Sequence, residues 1–260
     1  MSMLCKKLFG KWFKSKSFIR FYSLESGVLD LFPITKSSAI KRPFVDLPEY
    51  QDIPSTKNCP GIRKIVSTGW VVLAPADFLI KTTGDGTTME WMEPWRFTKI
   101  SEGRESYVSS HGPAQTELLA DADTLRTVIK IETPWRVETS DDVVLLQIPV
   151  TYNNEQRFYA ATGILDAGYG HTINVQLFWK NLNGETLVRA GTPLCQLIPM
   201  SRQSINTSSY DVVIEEATEL DKKKEREFNY ASNCVVLSQD SLASRLTRTL
   251  TILNKYKKRG

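Results

Sequence analysis

The sequence predicts a mainly β protein, folded as a β-sandwich or a barrel, with a C-terminal helical extension. First, short runs rich in β-branched and aromatic residues recur between residues 61 and 200. Second, turn-forming strings such as 83–86 and 181–184 separate these runs, with little helical pattern between them. Many short strands of this kind pack as sandwiches or barrels. Third, the chain becomes charged and helix-compatible after Met200.

The first 20 residues are predicted to be a basic amphipathic arm. They hold six lysine or arginine residues and no acidic residue. On a helix, the leucine and aromatic side chains fall on one half of the circumference and most of the lysines on the other. We expect such a segment to pack its aromatic side chains on the body of the protein or on another subunit, with an anionic or membrane surface as the alternative. Its candidate partner-binding residues are Lys6, Lys7, Lys11, Trp12 and Lys14.

Residues 21–200 are predicted to form one β-rich domain. Its first 40 residues contain five prolines, which is typical of an extended, wrapping segment. One helix is expected at 114–122, directly after Pro113. In chain order, the predicted strands are 20–23, 68–74, 78–83, 89–91, 127–132, 135–139, 143–149, 162–166, 172–179 and 195–200.

Residues 201–260 are predicted to be a charged, mainly helical extension. Residues 211–230 are rich in glutamate and lysine, and residues 239–258 have apolar residues at every third or fourth position. We expect this apolar stripe to pack on the protein's own core, with an oligomer or a partner helix as the alternative. Its candidate partner-binding residues are Leu246, Leu250 and Leu253.

The formal net charge of +4 combines an acidic body with basic ends. Ten of the 33 Lys and Arg residues lie in the first 20 and the last six positions, which hold no acidic residue. The remainder holds 23 basic and 29 acidic residues. A globally basic nucleic-acid-binding domain is therefore disfavoured and no specific nucleic acid is predicted, whereas the arm suits an anionic surface.

Scarce reactive residues argue against several classes of enzyme and metal site. The chain has only two histidines, His111 and His171, so three histidines of one chain cannot share a metal ion. Its four cysteines lie far apart without a CxxC pair, which predicts reduced, intracellular thiols. The P-loop, GxGxxG, GxSxG and HExxH strings are absent. We therefore predict no metal and no cofactor.

The most specific string is residues 162–170, Thr-Gly-Ile-Leu-Asp-Ala-Gly-Tyr-Gly, followed by an alternating strand and the string 188–198. Together they resemble dUTPases and their trimeric β-barrel relatives. In that family a substrate hairpin reads Gly-x-Ile-Asp-x-x-Tyr-x-Gly, and a later strand reads Gly-Asp-x-x-x-Gln-Leu. The resemblance implies a dUTPase-like or β-clip-related fold. The matching residues are Gly163, Asp166, Tyr169, Gly170, Gly191 and Gln196.

This resemblance also implies a site for a pyrimidine nucleotide. Such a hairpin presents a carboxylate and an aromatic face to the nucleotide, which makes Asp166 the general-base candidate. The sequence departs from the family pattern because it has no Gly-Arg-Ser-Ser phosphate loop, has Thr192 in place of the usual Asp, and lacks a Gly/Arg-rich C-terminal arm. The candidate catalytic residues of this hypothesis are Asp166, Tyr169, His171 and Gln196.

A broader pattern of short strings runs between Cys59 and Met200. It consists of Cys-Pro-Gly at 59–61, Gly-Trp at 69–70, Trp91, Thr-Pro-Trp at 133–135, Leu-Leu-x-x-Pro at 145–149, Thr-Gly-Ile-Leu-Asp at 162–166 and Gly-Thr-Pro-x-x-Gln-x-x-Pro at 191–199. This pattern is similar to an uncharacterised β-rich family of tailed phages and some bacteria. The resemblance implies a viral origin and transfers no catalytic residue.

From these observations we predict a phage-encoded, non-enzymatic structural or accessory binding protein, which associates with itself or with other virion or host proteins. The alternative hypothesis is a nucleotide- or sugar-handling enzyme with a dUTPase-like hairpin. The apolar runs are shorter than the roughly 20 residues that a transmembrane helix needs, and no signal-peptide pattern is present. The expected location is the cytoplasm of an infected host or the virion.

Overall fold

A computed structural model describes residues 17–24, 33–46, 59–94, 106–116 and 118–236. Within these ranges the chain forms three antiparallel sheets and few helices, which confirms the predicted mainly β class. In this part of the chain each sheet is open, so none of them closes into a barrel. The chain divides into two compact units, Met1–Ser209 and Tyr210–Gly260.

The strands and helices are numbered in chain order. The strands are β1 (Ile19–Ser23), β2 (Thr35–Lys36), β3 (Trp70–Leu73), β4 (Phe78–Thr83), β5 (Met89–Met92), β6 (Val108–His111), β7 (Val128–Thr139), β8 (Val143–Ile148), β9 (Phe158–Ala160), β10 (Gly163–Leu165), β11 (His171–Trp179), β12 (Asn183–Val188) and β13 (Pro193–Ser201). The helices are α1 (Pro60–Ser67), α2 (Pro113–Thr116) and α3 (Glu219–Val236).

The first sheet is built on the 12-residue strand β7. Its strand order is β1-β7-β11-β9, and β6 also pairs with β7. β6 pairs with residues 128–131 of β7, and β1 pairs with residues 135–139. Pro134 lies between these two blocks, opposite the register shift between Thr172 and Asn174 in β11. Because proline has no N–H to donate, it is tolerated where the ladder is interrupted. The predicted strands 127–132 and 135–139 are therefore one continuous strand.

The second sheet has the order β10-β8-β13-β3-β2, and the third has the order β12-β4-β5. Strand β4 illustrates how the sheets bury one face. Phe78, Ile80 and Thr82 are buried, whereas the residues between them are not, as the period of two in a strand requires. The apolar core draws on all three sheets and includes Val72, Ile80, Ile131, Leu177 and Leu197.

Two helices of the first unit differ from the sequence prediction. Helix α1 was not predicted; it has Pro60 in its first turn and half-buried Ile62, Ile65 and Val66 at helical spacing. Helix α2 has four residues in place of the expected 114–122. The hydroxyl of Thr116 donates to the carbonyl of Arg126 (2.9 Å), which holds the end of α2 beside the start of the next segment.

The second unit contains α3, which begins later than the charged pattern from residue 211 suggested. The backbone N–H of Thr218 donates to the carboxylate of Asp221 (3.0 Å), and the backbone N–H of Asp221 donates to the hydroxyl of Thr218 (3.3 Å). This reciprocal arrangement is a helix-capping box, so it fixes the helix start at Glu219. The predicted helix at 239–258 lies outside the described residues.

In the described segments no helix is both long and apolar enough to cross a bilayer.

Candidate functional site

The candidate site is the turn of residues 166–170, which connects two sheets. Strand β10 before the turn pairs with β8 in the second sheet, and β11 after it pairs with β7 and β9 in the first. Ala167 is buried, and its carbonyl accepts hydrogen bonds from the N–H groups of Thr139 and Gly170, both at 3.2 Å. This anchor in the core leaves the side chains of Asp166 and Tyr169 at the surface.

Gly170 ends the turn in a conformation that favours glycine. Its φ is +76°, and a Cβ atom built on it would lie 2.7 Å from the hydroxyl oxygen of Tyr22. A residue with a side chain would therefore meet both backbone strain and a steric clash here. The backbone conformation and the nearby Tyr22 hydroxyl therefore explain why a glycine stands at this position of the hairpin.

Asp166 forms a two-point ion pair with Arg202, the residue that follows β13. Nη2 of Arg202 donates to Oδ1 of Asp166 at 2.6 Å, and Nη1 donates to Oδ2. The same guanidinium donates through Nε to the carbonyl of Asp141 at 2.6 Å. Hydrogen bonding to Arg202 lowers the pKa of Asp166 below its usual range. Asp166 is therefore a charged hydrogen-bond acceptor at neutral pH.

Tyr169 is completely exposed, three residues after Asp166. A tyrosine ring with both faces in water offers an apolar surface on which a flat ring or a sugar can stack. His171 is also exposed, and its Nδ1 lies 2.6 Å from the carbonyl oxygen of Thr172. Because a carbonyl can only accept, Nδ1 carries the hydrogen, and Nε2 of the neutral ring is left as an acceptor.

A cleft of about 430 Å³ lies next to this ion pair. Most of its lining is apolar, and its polar lining includes Asp142 and Ser201. The backbone N–H of Arg202 donates to the carbonyl of Asp142 (2.8 Å), which joins the ion pair to the lining of the cleft. The Ser17 hydroxyl donates to the carboxylate of Asp142 at 2.6 Å and lowers the pKa of that carboxyl. The volume is in the range of small-molecule sites.

Gln196 is not part of this surface group, contrary to the catalytic hypothesis. It is fully buried in β13, and its amide nitrogen donates to the carbonyls of Ile65 (2.9 Å) and Thr68 (2.8 Å). Its amide oxygen accepts from the hydroxyl of Thr151 at 3.0 Å. With these partners the side chain holds α1 and the segment after β8 against β13, which is a structural role.

The remaining candidates fall elsewhere. The predicted partner-binding residues Lys6, Lys7, Lys11, Trp12, Lys14, Leu246, Leu250 and Leu253 lie outside the described residues. Cys195 is fully buried, and burial raises the pKa of its thiol, which makes it a poor nucleophile. Among the described residues no group of three or more Cys, His, Asp or Glu is arranged to hold a metal ion.

Sequence reasoning missed Arg202, which pairs with Asp166, and Tyr22, which contacts Gly170. Arg202 is 36 residues away from Asp166 and lies in a polar run, so its partner is set by the pairing of β13 with β8. Tyr22 is brought to the turn by the pairing of β1 with β7. Neither contact has a local sequence signal.

No protein-family model and no curated protein matches this sequence. Among solved structures, the chain is similar to a mutant dUTPase of Staphylococcus bacteriophage 80alpha, with 11% identity, 78% of this chain and 92% of that chain covered, and a TM-score of 0.33. It is similar to the EIAV dUTPase at 10% identity, with 77% and 100% covered and a TM-score of 0.33. It is also similar to a mutant dUTPase from phage phi11 of S. aureus at 9% identity, with 78% of this chain and 99% of that chain covered and a TM-score of 0.34.

These comparisons correct the main functional prediction. A non-enzymatic structural or accessory binding protein was expected, whereas the solved structures named above are dUTPases. That prediction is therefore wrong, and the matches agree better with the alternative of a nucleotide-handling enzyme. The structural resemblance to dUTPases is weak and assigns the chain to no family.

Proposed function

We propose that this chain is a nucleotide-handling enzyme that holds a nucleoside or nucleotide at the 166–170 turn. The observation that carries the proposal is the grouping of a charged carboxylate, its arginine partner and an uncovered aromatic ring beside a cleft. Asp166 and Arg202 form the ion pair, and Tyr169 presents both faces of its ring to solvent. The cleft of about 430 Å³ adds an apolar surface for a ring.

Each side chain has a distinct role in this proposal. The ring of Tyr169 stacks against the nucleoside, as an exposed aromatic face allows. Asp166 accepts hydrogen bonds from a sugar hydroxyl or from a water molecule, and it is the candidate general base. Arg202 orients that carboxylate at two points and holds it ionised. For Asp166 to take a proton from water, its contact with Arg202 has to loosen, because a lowered pKa weakens a base.

The experiment is a ligand panel followed by two variants. Nucleosides, nucleotides and simple sugars are screened by thermal shift, and each ligand is then assayed for turnover. A ligand at 100 times its Kd stabilises the folded state by about 2.7 kcal/mol. That value corresponds to a rise in Tm of roughly 5–10 °C for a chain of this size. The proposal predicts that a nucleoside or nucleotide gives such a rise and that simple sugars do not.

The variants separate binding from chemistry. Tyr169→Ala is expected to abolish the thermal shift, whereas Asp166→Asn is expected to abolish turnover and to weaken binding less. Trp91→Ala removes another exposed aromatic ring, and Asp123→Asn breaks another exposed ion pair, with Lys180. Both controls should leave binding and turnover unchanged. The proposal fails if no nucleoside or nucleotide shifts the Tm of the wild-type chain or is turned over by it.

A further inference from the structure

A row of three side chains crosses the first sheet beside the 166–170 turn. Tyr22 in β1 is opposite Arg136 in β7, and Arg136 is opposite Thr172 in β11. Residues that are opposite each other in an antiparallel ladder share a face and have Cβ atoms about 4.5–5.5 Å apart. Trp135 and Val137, the neighbours of Arg136, are buried, so the row faces away from the core.

Arg136 is half-buried without a partner for its charge. Within the described part of the chain its side chain takes part in no hydrogen bond or ion pair. The adjacent carboxylate on the same face, Glu138, is already paired with Arg20 at 3.3 Å. A guanidinium has five N–H donors, and leaving them without acceptors away from water is costly. This side chain is therefore available to an anion from outside the described chain.

Tyr22 connects this row to the turn. The guanidinium carbon of Arg20 lies 4.7 Å from the centroid of the Tyr22 ring, so the ring is covered on one side by a cation. Its hydroxyl oxygen lies against Gly170, 2.7 Å from the position that a Cβ atom would occupy. In the described part of the chain this hydroxyl donates no hydrogen bond. A free donor therefore points to the end of the candidate site.

We propose that Arg136 and the Tyr22 hydroxyl form a subsite for the phosphoryl group of a nucleotide, with Arg20 adding positive charge. A guanidinium presents parallel N–H donors that match two oxygens of a phosphate, and the hydroxyl supplies a further donor. The inference rests on the proposed function, because the phosphate belongs to a nucleotide held at the 166–170 turn. The row also offers phosphate donors in a sequence without a Gly-Arg-Ser-Ser loop.

Titration calorimetry with three probes tests the subsite: deoxyuridine, deoxyuridine monophosphate and inorganic phosphate. Wild-type protein should bind the monophosphate about 10- to 100-fold more tightly than the nucleoside, as expected for hydrogen bonds to a charged group. Arg136→Gln should lose this gain and keep the nucleoside affinity. Arg136→Lys, which keeps the charge without the two-point geometry, should lose part of it. Tyr22→Phe should lose about 2- to 10-fold.

Arg63→Gln is the matched control, because it removes an exposed arginine on α1 and should change no affinity. Equal binding of nucleoside and monophosphate by the wild type, or full retention of the gain by Arg136→Gln, would overturn the subsite and leave nucleoside binding standing. Binding of inorganic phosphate alone, abolished by Arg136→Gln, would uphold the anion subsite and refute the nucleotide function. No binding of any probe would refute both.

Discussion

Replacing Gln196 with leucine tests whether this buried amide has a structural or a catalytic role. The side chain is fully buried, and its four hydrogen bonds join it to three residues in two separate parts of the chain, the end of α1 and the segment after β8. Leucine has a similar size and no polar atom. The substitution therefore leaves the carbonyl of Thr68 and the hydroxyl of Thr151 without their side-chain partner, while the carbonyl of Ile65 keeps a weak bond from the N–H of Thr68 at 3.3 Å.

The expected loss of stability follows from those two groups. An unsatisfied buried polar group costs about 1–3 kcal/mol, so the gross loss is about 2–6 kcal/mol. Burial of the apolar leucine side chain offsets about 1–2 kcal/mol of it. We expect the free energy of unfolding to fall by about 1–4 kcal/mol.

Urea unfolding followed by tryptophan fluorescence measures this change. The matched control is Gln203→Leu. Because Gln203 is exposed, this substitution should change the free energy of unfolding by less than about 0.5 kcal/mol. A loss below about 1 kcal/mol for Gln196→Leu would show that the hydrogen-bond reasoning is wrong. A variant with wild-type stability but no turnover would instead restore Gln196 as a catalytic residue.

Three further outcomes are expected. Arg202→Gln should raise the pKa of Asp166 toward the ordinary carboxyl range, which carbon-detected NMR titration measures. In the wild type, the ion pair stabilises the fold at pH values above the ordinary carboxyl pKa. This stabilisation is lost as the pH falls through the lowered pKa of Asp166. An unchanged pKa would contradict the assigned cause. Gly170→Ala should destabilise the fold by about 1–2 kcal/mol in thermal unfolding, because its φ is +76°; wild-type stability would show that the turn relaxes. Iodoacetamide should label exposed Cys59 in the native protein and buried Cys195 only after unfolding, as read by peptide mass spectrometry. Native labelling of Cys195 would refute its burial.

Strands were predictable where the sequence itself carries the alternation of one buried face. The predicted strand 78–83 has the observed bounds because Phe78, Ile80 and Thr82 alternate with residues that face outward. Strand β12 was missed because Asn183-Gly184 was interpreted as a turn and most of its residues are exposed. Its strand conformation comes from pairing with β4 over six residues, which is a tertiary effect.

The candidate site was predictable only in its local part. Asp166 and Tyr169 lie in one short string, and the structure places both at the surface of one turn. Arg202, Tyr22 and Arg136 reach that turn from other strands, so their contribution depends on strand order and register. Gln196 matched a family pattern, yet its burial assigns it to the core.

The interruption of β7 at Pro134 has a consequence for hydrogen exchange. Strand β6 and the residue before it protect residues 128–132 of β7, since the N–H of Glu132 donates to the carbonyl of Tyr107 (2.7 Å), and β1 protects residues 135–139. Two blocks joined by a residue that donates no bond can open separately. Amide protons of β1 and of residues 135–139 should therefore exchange as one group, with a rate that differs from the β6 group. Opening of the β1 group would separate Tyr22 from Arg136 while the other half of the sheet stays closed.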